Sequence, residues 1–369
     1  MKRRDSLKDA LISSAKITER EKRKHGKDFY LIDSFCHFTT FEYISLLEKL
    51  SGIYPNPFRL PVAPNPSMYD VDGRFKMMDD CGINLSILLP LPNIEIVPPV
   101  YDNPALAIQA AQLINDTIAG IVAHHPKRFL GVALLPTTNA DIMLAELERA
   151  VTQLHAVGGY YIASPTSKPP DYPDYMQLYG KAVELNVPLW LHPSRPMNYP
   201  GYTLDTPPVS KYFLSVILGW IGNSSIAMAR IVLKGVFDTY PGLKIITHHR
   251  GAMIPLLANR LQEQFDFTEE IGLPIDTTIS KPYIEHFKKF YCDTTCYLDS
   301  ETELVKVAYD FFGPDHVLFG TDAPYSTNYG RDGTLASHYN VEKLKVTNKA
   351  LKKIFSENIL NMIPHQLAK

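Results

Sequence analysis

Short apolar runs of strand length recur along the chain, and segments long enough for helices separate them. The pattern predicts eight strands, in the runs 29–38, 84–91, 128–136, 158–164, 187–193, 243–249, 290–295 and 316–322. Between them, helical segments are predicted at 105–124, 142–154, 175–185 and 225–237. This alternation of strands and helices is typical of parallel βαβ units.

The predicted order of strands and helices fits a closed fold best. Eight βαβ units that close on themselves form a (β/α)8, or TIM, barrel, and we predict an α/β fold of this type for residues 29–369. A doubly wound open sheet is the alternative, but neither G-x-G-x-x-G nor a Walker P-loop follows any predicted strand. The composition does not change after residue 28 in a way that indicates a second folded domain.

The first 28 residues differ from the rest in charge, with ten Lys or Arg against five Asp or Glu. They lack the apolar core of a secretory signal, and their acidic residues argue against a transit peptide. We predict that residues 1–28 form a charged, helical N-terminal extension. It would dock on the barrel or take part in contacts between subunits.

The overall composition narrows the classes of function. A net charge of −2 gives no reason to expect nucleic acid or an acidic membrane surface as a partner. No apolar run reaches the roughly 18 residues of a membrane span, so none is expected. Four cysteines in 369 residues are too few for a disulfide scaffold. We expect reduced, mostly buried thiols in a cytoplasmic protein.

Polar side chains stand at the carboxyl ends of four predicted strands: His37, His192, His249 and Asp322. A buried imidazole or carboxylate costs folding free energy unless it is hydrogen-bonded, paired or bound to metal. The carboxyl ends of barrel strands form the face where barrel active sites lie. Three imidazoles and a carboxylate suit Zn, Mn, Fe or Ni, and the pattern therefore predicts a catalytic site.

Several motifs at these strand ends carry a family resemblance. IDSFCHF, LWLHPSRP, ITHHRGAMIP and LFGTDAP resemble the strand 1, 5, 6 and 8 signatures of the amidohydrolase superfamily, and ENILNMIP resembles its closing helix. The similar branch is the amidohydrolase-related one, which includes aminocarboxymuconate-semialdehyde decarboxylase, resorcylate-type decarboxylases and some lactonases. The resemblance runs from about residue 30 to residue 364.

The resemblance implies a role for each strand-end side chain. His37, His192 and Asp322 would be metal ligands, with zinc the first expectation and manganese the second. His249 would be the catalytic imidazole, because it keeps the family spacing to Pro255, and Asp322 would share in catalysis.

Two further residues near these ends have expected orientations or partners. His248 precedes His249 on the predicted strand, and because successive side chains alternate we expect it to point to the opposite face. Asp293 is expected to accept hydrogen bonds beside the site or in the barrel core.

One position departs from the family pattern. The family begins with Asp-x-His-x-His, or has Glu at the first His, whereas this chain reads Asp33-Ser34-Phe35-Cys36-His37. Phe35 stands where the first ligand should be, and a phenyl ring cannot ligate. Three ligands and a water suffice for a catalytic metal, and a metal-free site is the alternative.

Candidate substrate contacts come from two arginines and two aromatic residues. Arg195 and Arg250 each follow a proposed site histidine, and a guanidinium at a pocket mouth can clamp a carboxylate with two hydrogen bonds. Surface salt bridges are the alternative for both. Phe35 and Tyr325 complete the predicted substrate-binding set.

The resemblance favours a nonoxidative decarboxylase of a small aromatic or unsaturated carboxylic acid. A hydrolase of a lactone, ester or amide is the alternative, and only the first chemistry releases carbon dioxide. A non-catalytic barrel that serves as a binding or scaffold protein is a third hypothesis, with Phe35 as its support. A homodimer is the expected assembly.

Overall fold

The computed structural model describes residues 29–52, 59–91, 94, 97–162, 168–193, 211–273 and 275–363. The predicted N-terminal extension, residues 1–28, lies outside the described residues, and its helical form and its separation from the barrel stay predictions. Arg195 lies outside them as well.

The described strands are all parallel. They are β1 (Ile32–Phe38), β2 (Leu85–Pro90), β3 (Phe129–Gly131), β4 (Ala133–Leu134), β5 (Gly159–Ile162), β6 (Leu189–His192), β7 (Ile245–Thr247) and β8 (Tyr291–Cys292). Strands β1 to β3 form one sheet and β4 to β8 another, each in chain order. The parallel pairing and the sequential order confirm the predicted βαβ units.

Two predicted strands differ from the structure. The third run divides at Val132 into β3 and β4, which belong to different sheets. The eighth run is not a regular strand, although Leu318 donates to the Cys292 carbonyl at 2.8 Å and Ser34 donates to the Phe319 carbonyl at 2.8 Å. The segment 316–322 therefore bonds to β8 on one side and to β1 on the other, the position that a barrel order requires.

A buried carboxylate explains why the eighth segment departs from a regular ladder. Asp33 of β1 accepts hydrogen bonds from the Thr321 hydroxyl at 2.6 Å and from the Thr321 amide at 3.1 Å. Side-chain oxygens thus replace part of the backbone pairing at this point. The next residue, Asp322, has a positive φ of 59°, which is outside strand geometry.

The helices lie between the strands and after them. They are α1 (Phe41–Ser51), α2 (Arg59–Val62), α3 (Val71–Cys81), α4 (Pro98–Tyr101), α5 (Pro104–His124), α6 (Ala140–Gln153), α7 (Pro173–Glu184), α8 (Trp220–Leu233), α9 (Val236–Thr239), α10 (Ala258–Glu270), α11 (Tyr283–Phe287), α12 (Thr302–Phe312), α13 (Arg331–Glu342), α14 (Asn348–Lys352) and α15 (Asn358–Met362). Short π-helical segments run from Ser215 to Gly219 and from Lys353 to Glu357. Single 3₁₀ turns lie at Pro66–Met68, Lys211–Phe213 and His249–Gly251.

Side-chain caps explain where two of the predicted helices begin. Asn103 accepts from the amides of Ala105 and Leu106 before α5, and Asn139 accepts from the Ile142 amide before α6. A side-chain acceptor at this position satisfies an amide that has no partner within the helix. Three of the four helices predicted from periodicity are present with boundaries shifted by a few residues, whereas the predicted helix 225–237 spans the end of α8 and the start of α9, which are separated at Gly235, where φ is 71°.

The interior is built mainly from the strand side chains, which are buried on both faces. Trp190 of β6 is fully buried, and its indole N–H donates to the Ser34 carbonyl of β1 at 2.9 Å. This bond joins strands of the two sheets through the core. All four cysteines are buried and free, which confirms the expectation of reduced thiols.

Two helical segments, Pro104–His124 and Ser215–Leu233, are long and apolar enough to cross a membrane by length and composition alone. The core helices of soluble proteins meet the same criterion, so this is weak evidence for a membrane span. The sequence-based expectation of no membrane partner stays a prediction.

Gly158, just before β5, is predicted to be intolerant of a side chain. A Cβ there would lie 2.2 Å from the Pro188 carbonyl oxygen and 2.6 Å from the Trp190 ring. We expect Gly158→Ala to lower the free energy of unfolding by about 1–3 kcal/mol, because core overpacking costs about that much. Urea unfolding measures the change. Gly120→Ala in α5 is the control, since a Cβ there meets no atom within 4 Å, and an equal loss in both variants would contradict the prediction.

Asp33 is predicted to make folding stability depend on pH. Burial raises the pKa of Asp33 from 3.8 to about 7, although the Thr321 hydroxyl and the Arg74 charge act in the opposite direction. The folded protein therefore holds one more proton than the unfolded chain between these two values, and stability falls as pH rises through that window. The fall is about 1.4 kcal/mol for each pH unit.

Asn cannot ionise, so Asp33→Asn should remove this contribution. We expect the wild type to lose stability relative to the variant between pH 4 and pH 7. Urea unfolding across this range measures the difference. Parallel stability profiles for the two proteins would show that the carboxyl group does not titrate in this way.

Candidate active site

His37 is the last polar residue of β1 and is buried at the carboxyl end of the strands. Its Nε2 lies 3.4 Å from Oδ1 of Asp322, and its amide donates to the Ala323 carbonyl at 2.7 Å. The fully buried Arg74 donates to the His37 carbonyl and, at 2.7 Å, to the Ser67 carbonyl. Burial lowers the pKa of His37, which keeps this imidazole neutral and able to ligate.

Asp322 is the carboxylate around which the site is arranged. Its Oδ1 faces two imidazoles, with His37 Nε2 at 3.4 Å and His248 Nε2 at 3.1 Å. Its Oδ2 accepts a hydrogen bond of 3.0 Å from the Tyr297 hydroxyl. Burial alone would raise the pKa of Asp322, but the charge and contact of His248 and the contact of His37 hold it well below its usual range. The group is therefore an anion.

His248 points into the site, so the expectation that it faces away was wrong. Regular strand geometry ends with β7 at Thr247, and the next residues form a turn in which His249 and Arg250 both have positive φ. Strand alternation does not extend across such a turn. The structure thus brings His248, and not His249, against Asp322.

His248 is held between two carboxylates. Its Nδ1 donates to Asp293, and its Nε2 faces Asp322. Burial alone would lower the pKa of His248, but the two carboxylates outweigh burial and raise the pKa from 6.5 to about 9. Asp293 also accepts from the amides of His249 at 3.2 Å and Arg250 at 2.9 Å, the acceptor role expected for it.

His249 lies beside His248, with ring centroids 3.6 Å apart. Burial and the His248 charge lower the pKa of His249 to about 3, and its Nδ1 is a buried atom without a hydrogen-bond partner. The ring is therefore neutral and does not reach Asp322 by any ion pair within the described residues. The catalytic role assigned to His249 stays a prediction.

His192 ends β6 on the other side of His37. Its Nδ1 bonds to the Pro193 carbonyl at 2.6 Å, and its ring centroid lies 5.4 Å from that of His37 and 6.1 Å from that of His248. Burial lowers the pKa of His192 well below its usual value, so its Nε2 carries a free lone pair.

These residues suit a divalent cation by their chemistry and their arrangement. Ligand atoms of His37, His248 and Asp322 lie within 4.8 Å of one another, and all three residues are buried. His192 lies next to this group but is not part of it. Neutral imidazole and carboxylate are the ligand types of zinc and manganese sites. His37 and Asp322 could therefore hold an ion together with His192 or His248.

Phe35, at the position of the missing first ligand, packs flat against His248. The ring centroids are 3.9 Å apart, the planes differ by 2°, and Phe35 has no exposed surface. Phe35 thus lies flat against the imidazole of His248, and its expected contact with substrate stays a prediction.

Of the other predicted substrate contacts, Arg250 and Tyr325 are among the described residues and Arg195 is not. Arg250 forms an ion pair of 3.0 Å with Glu301 and donates to the Thr295 carbonyl. Tyr325 lies with its ring centroid 5.5 Å from that of His37, and its buried hydroxyl has no hydrogen-bond partner among the described residues. Substrate binding by Arg195, Arg250 and Tyr325 stays a prediction.

Two contacts of the site were not found from the sequence. Tyr297 follows β8 in a loop, where one tyrosine among 21 gives no signal of its own. Arg74 lies in α3, and a single arginine in a charged helix reads as a surface residue. The one signal in the sequence for a role of Tyr297 in the site was its position just after a predicted strand, because loops there line the mouth of a barrel.

Comparison with known proteins places the chain in a family. A family model described as amidohydrolase matches residues 32–364. The gamma-resorcylate decarboxylase of Rhizobium radiobacter is 29% identical over 261 residues, which cover 69% of this chain and 76% of the relative. The 2-amino-3-carboxymuconate-6-semialdehyde decarboxylase of Dictyostelium discoideum is 24% identical over 292 residues, which cover 79% of this chain and 74% of that relative.

A solved structure shows the same fold. The dihydroxybenzoic acid decarboxylase of Polaromonas sp. JS666, with bound manganese and the inhibitor 2-nitroresorcinol, superposes with a TM-score of 0.71 at 24% identity, covering 91% of this chain and 97% of that one. The likeness supports an α/β fold with parallel strands, as a TIM barrel requires. The strand-end motifs, the buried His and Asp cluster and the match over 32–364 agree, and the chain belongs to the amidohydrolase family.

Proposed function

We propose that this protein is a metal-dependent, nonoxidative decarboxylase of a small aromatic carboxylic acid. The observation that carries the proposal is the buried Asp322 carboxylate, which faces two imidazoles and accepts from a tyrosine at the carboxyl ends of the strands. The two relatives compared above are both named decarboxylases, and one is named for an aromatic acid, gamma-resorcylate. We propose also that the eight segments close into a (β/α)8 barrel, because 316–322 bonds to both β8 and β1.

We propose His37, His192 and Asp322 as the ligands of a divalent ion. Each nitrogen of His248 faces a carboxylate, whereas Nδ1 of His192 bonds to a carbonyl and its Nε2 has no hydrogen bond to the described residues. His192 is therefore the better third ligand. When bound, the ion supplies positive charge that stabilises negative charge developing on the substrate. The Polaromonas structure was solved with manganese, so manganese is to be tested beside zinc.

The reaction breaks the bond between a ring carbon and the carboxyl carbon. The electron pair stays on the ring, carbon dioxide leaves, and a proton must be delivered to the ring carbon. We propose that His248 carries this proton, since Asp293 holds its Nδ1 and its Nε2 faces Asp322. A positioned imidazole of this kind contributes roughly a hundredfold to ten-thousandfold to a rate.

A homodimer in the cytoplasm remains part of the proposal. Helix α10 has no buried residue in the single chain, and it carries the half-exposed Phe267. Ile271 and Leu273, which follow it, are also exposed. A second copy of the chain would remove this apolar surface from water. Sedimentation of the purified protein measures the assembly.

The activity is predicted to release carbon dioxide from an aromatic acid. We expect the protein loaded with manganese to convert gamma-resorcylate, or another hydroxylated benzoate, into the corresponding phenol and carbon dioxide. Product analysis by chromatography and carbon dioxide detection measures both products. Hydrolysis of lactones or esters with no carbon dioxide from any acid would replace the proposal with the hydrolase alternative. Inactivity in both assays would favour a binding or scaffold role.

Matched histidine variants are predicted to separate metal binding from proton transfer. Asn retains a donor at the Nδ1 position of His but lacks Nε2. We expect His192→Asn to lose bound manganese, and His248→Asn to keep it while kcat falls roughly a hundredfold or more. Elemental analysis and steady-state kinetics measure the two effects.

Two further variants complete the comparison. His124→Asn, at the exposed end of α5, is expected to leave manganese content and kcat unchanged. His249→Asn tests whether the neighbouring histidine carries the proton instead. Loss of the ion in His248→Asn with retention in His192→Asn would move the third ligand to His248. A larger loss of kcat in His249→Asn than in His248→Asn would return the acid role to His249.

A further inference from the structure

Tyr297 extends from the protein surface to the buried carboxylate of the site. Its side chain is 42% exposed, whereas Asp322, which accepts from its hydroxyl at 3.0 Å, is only 5% exposed. Tyr297 follows β8, and Asp322 is the last residue of the neighbouring eighth segment. The phenol thus contacts one oxygen of the Asp322 carboxylate, and the two imidazoles face the other.

The backbone around Tyr297 is fixed by one glutamate. Oε1 of Glu301 accepts from the amide of Tyr297 at 2.9 Å and from the amide of Leu298 at 2.8 Å. Its Oε2 lies 3.0 Å from Nη1 of Arg250, which also donates to the Thr295 carbonyl. An ion pair that is mostly shielded from water holds its partners more firmly than an exposed one.

These contacts close a ring of interactions around the site. The Arg250 amide donates to Asp293, which accepts from His248, and His248 faces Asp322. The order around the ring is Asp322, His248, Asp293, Arg250, Glu301, Tyr297 and again Asp322. Each oxygen of Asp322 thus has its own partner, and rotation of the carboxylate would break a contact on either side.

We propose that Tyr297 is a positioning residue for Asp322, and that the pair of Arg250 and Glu301 serves to hold Tyr297 in place. Donation by the phenol to Oδ2 keeps Oδ1 directed at His37 and His248. In this arrangement Arg250 acts on Tyr297 through Glu301. The inference rests on the proposed function in one respect, namely that Asp322 binds a metal ion and contacts the histidine that transfers the proton.

Tyr297→Phe removes the hydroxyl and keeps the ring, so it isolates the bond to Asp322. We expect the manganese dissociation constant to rise and kcat to fall, each by about tenfold, as for the loss of one hydrogen bond to a charged group. KM should change little because the ring and the loop remain, whereas the melting temperature should fall by a few degrees because the buried Asp322 carboxylate loses one hydrogen bond. Electron paramagnetic resonance of manganese, steady-state kinetics and thermal unfolding measure these quantities.

Tyr329→Phe is the matched control, since its side chain is 56% exposed in the loop after the eighth segment. We expect it to match the wild type in every assay. Equal manganese affinity and equal kcat in Tyr297→Phe and the wild type would overturn the positioning role. A wild type that binds manganese but decarboxylates no acid would overturn the proposed function alone, because the affinity comparison still tests Tyr297.

The role of Glu301 is tested by a double-mutant cycle. Glu301→Gln keeps an oxygen for the two amides but removes the charge that pairs with Arg250. If Glu301 acts through Tyr297, the double variant should bind manganese no more weakly than Tyr297→Phe alone, because coupled changes are not additive. Fully additive losses would show that Glu301 and Arg250 act independently of Tyr297.

Discussion

The charge on the buried Asp322 carboxylate is the constraint on which the rest of the site depends. An ionised carboxylate removed from water costs several kcal/mol unless charges and hydrogen bonds replace its hydration. The chain supplies these from three directions, with His37, His248 and the Tyr297 hydroxyl. A carboxylate is also a common metal ligand. Asp322 must therefore be stabilised as a buried anion for folding, and the same anion is the group proposed to bind the metal.

The fold delivers these partners through the ends of adjacent strands. Asp33 anchors the eighth segment to β1 through Thr321, which sets Asp322 opposite His37. The turn after β7 then directs His248 inward, where Asp293 holds it. The positive φ at Asp322 shows that the local backbone leaves regular strand geometry at the functional residue.

The sequence predicted those parts of the site that depend on strand periodicity and little of what depends on turns. His37 and His192 were placed correctly at strand ends because apolar runs mark where strands stop. Asp322 ends the eighth segment, which bonds to its neighbours but is not a regular strand. His248 was misplaced because the alternation rule was carried one residue past the end of β7 into a turn. Arg74 and Tyr297 reach the site across the tertiary structure, and no local pattern records such a contact.

The central claim is that Asp322 organises a metal site with His37 and His192, and anomalous diffraction from manganese-loaded crystals tests it most directly. The account predicts an anomalous peak bordered by the two imidazoles and the Asp322 carboxylate, with the Tyr297 hydroxyl still bonded to the other oxygen. Manganese bound elsewhere, or Asp322 engaged by the protein alone with no peak beside it, would contradict the account.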